Sequence, residues 1–280
     1  MAAKVPGLAW ESACVQGRPI NYVTGGDGHP VVFLHGWALS HRSYRAALGR
    51  LQRAGAAVYA PSLPGFGGTP PLRPDALSLE GYGRWVADFI VAAGITGPVT
   101  LIGHSFGGGV ALQTAHDHPH LVCRLVLVNA VGGSEWKTGR ALRDRPLWDW
   151  GLHLGTNVLS PRRVSRVLPV VLEDAIGNAL RNPKGVWHVG RLARDANLEE
   201  QLATVRRRRL PVFILWGKED RVIPLASVEA LARDAEVHTV PGDHNWLITD
   251  PDRFAEVMTN VVGDIGLGGT AATEEPAVGL

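Results

Sequence analysis

The chain has 280 residues, of which 45% are hydrophobic and 19% charged, with a formal net charge of +2. That length fits one large domain or a domain with an insertion, and so balanced a charge excludes a molecule built as a whole to bind nucleic acid. No apolar run reaches bilayer length, Met1 to Trp10 has no apolar signal region, and Cys14 and Cys123 are too few for a disulfide framework, so the expected location is the cytoplasm.

Residues 10–16 and 19–24 alternate weakly around Gly17-Arg18 and read as a hairpin. Val31-Val32-Phe33-Leu34 is an all-apolar run of the kind buried on both faces of a parallel sheet, and it stops at His35-Gly36. Residues 43–54 read as a helix, and Val58-Tyr59-Ala60 as a strand ending at Pro61. Leu79, Tyr82, Trp85, Val86, Phe89 and Ile90 recur at helical spacing over 79–93. A strand at 98–102, a helix at 106–117 and a strand at 125–128 follow.

After Val131-Gly132-Gly133 the rhythm breaks. Residues 134–205 show helical patches and no clear strand, and they hold Trp136, Trp148, Trp150 and Trp187. Alternation resumes with a strand at 212–215, a helix near 226–234, a strand at 236–240 and a helix near 251–262. The pattern predicts an α/β fold with a mostly parallel sheet and helices on both faces. The core would comprise residues 1–133 and 206–262, with a helical insertion at 134–205. The Gly/Ala/Thr/Glu-rich tail, 263–280, has little to bury and is expected to be disordered.

Gly103-His104-Ser105-Phe106-Gly107 fits G-x-S-x-G, with a strand leading in and a helix leading out. Alone the match is weak; its context strengthens it. A serine on so sharp a turn is strained and exposed above the sheet, and glycines two before and two after let neighbouring chain come close. The following helix points its N-terminus at the site, which favours developing negative charge.

Leu34-His35-Gly36-Trp37, Pro64-Gly65-Phe66-Gly67, the serine motif with Gly108, Trp216-Gly217-x-x-Asp220-x-x-x-Pro224 and Pro241-Gly242-Asp243-His244 occur in that order. In this set, spread over residues 10–262, the chain resembles the α/β-hydrolase superfamily, in particular its small carboxylesterase-like members. The resemblance implies an α/β-hydrolase fold: an eight-stranded, mostly parallel sheet with a helical cap. It implies no cofactor and no metal, and a chain order of serine, acid, histidine.

Three histidines lie well after Ser105. His188 falls in the insertion, and His238 sits inside an apolar strand, where it reads as a strand-face residue. His244 lies just past the carboxyl end of that strand, where open α/β sheets gather their ligands, so it is the candidate base. Asp220, after the strand ending at Trp216-Gly217, lies at the same edge and is the candidate acid, accepting the second imidazole N–H. Glu219 and Asp243 compete with it, and both read as solvent-facing. Some relatives place the acid after the preceding core strand, but Val128-Asn129-Ala130 has no carboxylate there. The resemblance implies the backbone N–H groups of Trp37 and Phe106 as oxyanion donors, with His35 bracing that loop. Ser62 stands where the family often has Asp.

His116-Asp117-His118-Pro119-His120 looks like a metal cluster but reads as a solvated helix end. Residues 134–209 hold 15 Lys/Arg and 8 Asp/Glu, a local charge of +7, which either attracts an anionic substrate or partner or is a basic surface without a role. The expected function is hydrolysis of small, apolar carboxylic esters through an acyl-serine intermediate, with Trp148, Trp187, Trp246 and Leu247 as candidate pocket walls. C–C bond hydrolase, cofactor-free haloperoxidase or perhydrolase, and hydroxynitrile lyase keep the same triad. Epoxide hydrolase and haloalkane dehalogenase are disfavoured because position 105 is Ser, not Asp. A non-catalytic small-ligand receptor is the alternative of another class. Nucleic acid and a membrane span are not expected.

Overall fold

A two-residue turn starts the sheet. Gln16 and Gly17 both have positive φ (51° and 73°), which matches the twist of the flanking strands β1 (Ala9–Val15) and β2 (Arg18–Gly25) and pairs them antiparallel. The computed structural model describes residues 7–137, 140–146, 164–233 and 235–263. β2 also pairs antiparallel with β4 (Ala57–Pro61). From there β3 (Pro30–Leu34), β5 (Val99–His104), β6 (Val122–Val128), β9 (Val212–Gly217) and β10 (Val237–Val240) continue the sheet in parallel. The order is β1-β2-β4-β3-β5-β6-β9-β10, eight strands in one sheet.

Strand side chains alternate between two apolar layers, as the pleat requires. Val32, Leu34, Leu101, Leu125, Leu127 and Ile214 point to the layer of α2 (Leu79–Ala92) and α3 (Phe106–Asp117). Val31, Phe33, Ile102, Val126, Val128 and Leu215 point to the opposite layer, with α1 (Arg45–Arg53) and residues Trp246–Met258. Being apolar on both faces, these strands read as continuous hydrophobic runs in the sequence. β4 and β5 lie on opposite sides of β3, so the chain reverses its direction of travel across the sheet there. That reversal opens a crevice at the carboxyl ends of β3 and β5.

The segment between β6 and β9 carries β7 (Glu135–Lys137) and β8 (Arg140–Ala141), a short antiparallel pair absent from the sequence expectation. Two or three residues are too few for alternation to register. It also carries α4 (Val164–Arg181), α5 (Pro183–Asp195) and α6 (Glu199–Arg207). α6 packs against α3 and against α7 (Leu225–Ala232), burying Leu202 and Val205 in the sheet-covering layer. The helices over the β3 loop are therefore α4 and α5, and residue 205 falls inside a helix of the sheet layer. α8 (Trp246–Thr249) and α9 (Pro251–Val257) close the fold, with a π turn over Met258–Val262. Trp148 and Trp150 of the insertion, and tail residues 264–280, lie outside the described residues. Among the described residues no helix is long and apolar enough to cross a membrane.

Candidate active site

Ser105 sits between β5 and α3 with φ 54° and ψ −120°, a conformation that L side chains rarely adopt. Its backbone is held on both sides of the turn. The N–H donates to the Val128 carbonyl at 3.0 Å, and the carbonyl accepts from Gly108 and Val131 at 2.9 and 3.1 Å. The turn also needs two missing side chains. A Cβ at Gly103 would stand 2.2 Å from the Gly107 carbonyl oxygen, and one at Gly107 would stand 2.4 Å from that of Leu34. Sequence spacing and strained geometry thus have one cause: β3, β5 and α3 meet closer than a methyl group permits. Ser105 is 7% exposed, and its hydroxyl makes no hydrogen bond among the described residues.

His244 Nδ1 donates to Asp220 Oδ2 at 2.8 Å, and His244 is only 1% exposed. The carboxylate has its full complement of donors. Oδ1 accepts from the backbone N–H groups of Val222 and Ile223 at 2.7 and 2.9 Å, and Oδ2 accepts also from Asn129 Nδ2. Four donors on four lone-pair positions fix the group in one orientation. Of its competitors, Glu219 is exposed, and Asp243 Oδ1 accepts from Asn245 N at 2.8 Å. His238 is a half-exposed strand residue 3.5 Å from Glu236, and His188 is exposed.

Beside Ser105 the loop after β3 runs so close that a Cβ at Gly36 would lie 3.3 Å from the serine Cβ. The next residue, Trp37, and the first residue of α3, Phe106, have backbone N–H groups that no described protein group accepts. Two free amide hydrogens at the mouth of this turn can receive an oxyanion. His35 braces the loop as expected: Nδ1 donates to the Gly36 carbonyl at 2.9 Å and Nε2 accepts from Leu63 N at 2.8 Å. Burial lowers its pKa to about 4, so it is neutral.

The sequence matches a known family. The model of the Alpha/beta hydrolase family covers residues 31–257. The chain belongs to the alpha/beta hydrolase family. It is 30% identical to the pimeloyl-[acyl-carrier protein] methyl ester esterase of Aromatoleum aromaticum over 83% of this chain and 97% of that protein. It is 29% identical to the 2-hydroxy-6-oxo-2,4-heptadienoate hydrolase of Pseudomonas putida over 81% of this chain and 86% of that one. In fold it resembles the bromoperoxidase from Bacillus anthracis, with a TM-score of 0.71 at 19% identity over 89% and 98% of the two chains.

Two of the four pocket walls expected from the sequence of this alpha/beta hydrolase need correction. Trp246 and Leu247 are 1% and 0% exposed and belong to the core layer of α1 and α9, because the short α8 turns both inward beneath the His244 loop. Trp246 Nε1 donates to Asn129 Oδ1 at 3.0 Å, which makes it a support of the Asp220 side. Trp187 is 49% exposed on α5, with the Arg191 guanidinium 4.9 Å from its ring centroid. Trp148 lies outside the described residues.

Several residues that periodicity does not single out shape the site. Asn129, with φ 46°, follows β6 and reaches Asp220, Trp246 and the Gly217 N–H. From α4, Asp174 accepts from Ser40 N, Ser40 Oγ and Ser43 Oγ at 2.7 to 2.9 Å. One turn later Asn178 donates to the Ala38 carbonyl and accepts from Gly67 N, both at 2.9 Å. Trp37 Nε1 donates to the Val186 carbonyl of α5 at 2.7 Å. The loop bearing the Trp37 N–H is thereby clamped by α4 and α5. The signal available in the sequence was a buried-side Asp and Asn four apart on a helix otherwise rich in Val, Leu and Ile.

Proposed function

We propose that this hydrolase cleaves carboxylic esters through an acyl-enzyme on Ser105, with His244 as general base and acid and Asp220 as its orienting carboxylate. The observation that carries the reading is the buried Asp220–His244 bond, 2.8 Å long, on a loop tied to the residue before a strained serine. Ser105 Oγ attacks the acyl carbon while its proton passes to His244 Nε2. The resulting imidazolium is stabilised by the Asp220 anion, and the carbonyl oxygen, now negative, takes the N–H groups of Trp37 and Phe106. The C–O bond then breaks as His244 returns the proton to the departing alkoxide. Water adds to the acyl-serine, giving its proton to His244, and the carboxylic acid leaves as Ser105 recovers its hydrogen.

Among the described residues the serine hydroxyl and imidazole are not hydrogen-bonded, and catalytic bonds of this kind commonly tighten only when substrate binds. The relatives' names also support a second reading, in which the same serine, histidine and aspartate cleave a C–C bond in a diketone acid. A fluorophosphonate probe tests the shared step: wild type should be labelled and Ser105→Ala should not. Turnover of p-nitrophenyl esters against a vinylogous diketone then separates the two readings. Labelling of Ser105→Ala equal to wild type sinks both, and tight ligand binding without turnover would favour a receptor.

A further inference from the structure

A cavity of about 630 Å³ lies on the β1–β2 side of the molecule, walled by Trp10, Val23, Val170 and Ile248 and by the turn from His41 to Ala46. It shares no lining residue with the Ser105 site: Ser105, His244, Trp37 and Phe106 are all absent from its walls. Its size falls in the range of small-molecule sites, which are largely apolar with a few convergent polar groups.

The charged side chains that line it are of one sign, and the hydroxyl of the lining Ser43 is donated to Asp174. Arg42 and Arg45 line the cavity and are exposed, and among the described residues neither forms an ion pair. Among the described residues no carboxylate lines it. Arg42 lies 5.7 Å from the centroid of the Trp10 ring, which in turn stands edge-on to His41 at 4.6 Å. His41 is 2% exposed, and among the described residues its Nε2 has no hydrogen-bond partner. Its other nitrogen, Nδ1, is 2.8 Å from Ser62 Oγ. A buried polar atom left unpaired is costly, and when Ser62 donates to Nδ1 the imidazole carries its hydrogen on Nε2, ready to be donated.

We infer that this cavity binds a small amphipathic monoanion, a medium-chain carboxylate, with its chain between Trp10, Val23, Val170 and Ile248 and its head on Arg42, Arg45 and His41. Charge complementarity selects the anion, and the apolar walls select the chain. The inference stands independently of whether Ser105 is a nucleophile.

The test uses the whole chain, with decanoate as probe and decanol as its uncharged counterpart. Titration should quench tryptophan fluorescence saturably with decanoate, weaken at least tenfold in an Arg42→Ala/Arg45→Ala variant, and weaken similarly with decanol. A diazirine analogue of decanoate should crosslink to peptides holding residues 10, 41–46 or 170 in both wild type and Ser105→Ala. Crosslinking confined to the peptide around Ser105, equal affinity in the double arginine variant, or no saturable binding overturns the inference.

Discussion

His104 Nε2 donates to the backbone carbonyl of His244 at 2.8 Å, tying the residue before Ser105 to the loop of the second histidine. The bond has one direction because burial and the nearby His244 push the His104 pKa well below its usual value, leaving it neutral. Its Nδ1 then accepts from the Tyr44 hydroxyl at 2.7 Å, and that hydroxyl accepts from Gly36 N at 3.0 Å. One chain of hydrogen bonds thus spans the loop after β3, the serine turn and the His244 loop.

Tyr44→Phe cuts that chain at its middle. It leaves the Gly36 N–H and His104 Nδ1 unpaired, which should cost about 1–3 kcal/mol in urea unfolding. Ester turnover should fall about tenfold, in proportion to misplacement of the adjoining Trp37 N–H. Unchanged stability and turnover would show that the relay holds nothing in place.

Asp220→Asn should lower kcat by about 10³–10⁴-fold with little change in KM, since only the imidazolium and its tautomer depend on the charge. Asn129→Ala should give a smaller loss, about tenfold, because Asp220 keeps its two backbone donors. Asn129→Asp sets a second carboxylate against Asp220. It replaces a donor to Asp220 Oδ2 by an acceptor, so turnover should fall further than in Asn129→Ala. Turnover equal to that of Asn129→Ala would place Asn129 outside the support of Asp220.

Ser105→Gly should abolish fluorophosphonate labelling yet leave the protein about 1 kcal/mol more stable than Ser105→Ala, because only glycine relieves the positive φ. Denaturant midpoints of the two variants measure this directly. Equal midpoints would mean that the turn stores no strain.

Asp174→Asn and Asn178→Ala should lower kcat more than they raise KM, since both residues hold the loop that carries Trp37 rather than a substrate. Asp174→Asn should also cost about 1–3 kcal/mol through its hydrogen bonds to Ser40 and Ser43. A pure rise in KM would instead make α4 a substrate wall.

Acid should destabilise the fold early. Burial lowers the pKa of His35 to about 4 and that of His41 to about 3, from 6.5. Between those values and 6.5 the unfolded chain binds protons that the folded one refuses, so stability is fully present above pH 6.5 and lost as pH falls towards 4. Each histidine contributes up to about 1.4 kcal/mol per pH unit in that window. Urea midpoints at pH 7 and pH 5 test the slope, and His41→Asn should flatten it.

The strand runs at 31–34 and 212–215 and the helix at 106–117 were legible because burial on two faces, or helical spacing, repeats over enough residues to leave a pattern. β7 and β8 were not, being two or three residues long. Trp246 and Leu247 misled for a related reason: apolar side chains beside a site look alike whether they line a pocket or fill the core below it, and only the turn of α8 separates the two.

By itself the sequence determined the sheet, the place of Ser105 on a glycine-flanked turn, and the candidacy of Asp220 and His244 at one edge, because strand ends, glycines and chain order are local properties. Tertiary structure alone decided that Asp220 meets His244, that Asn129 completes its shell, and that α4 grips the Trp37 loop. Those pairings join residues 24, 91, 134 and 140 positions apart, and proximity across such distances is created by packing and leaves no periodic trace along the chain.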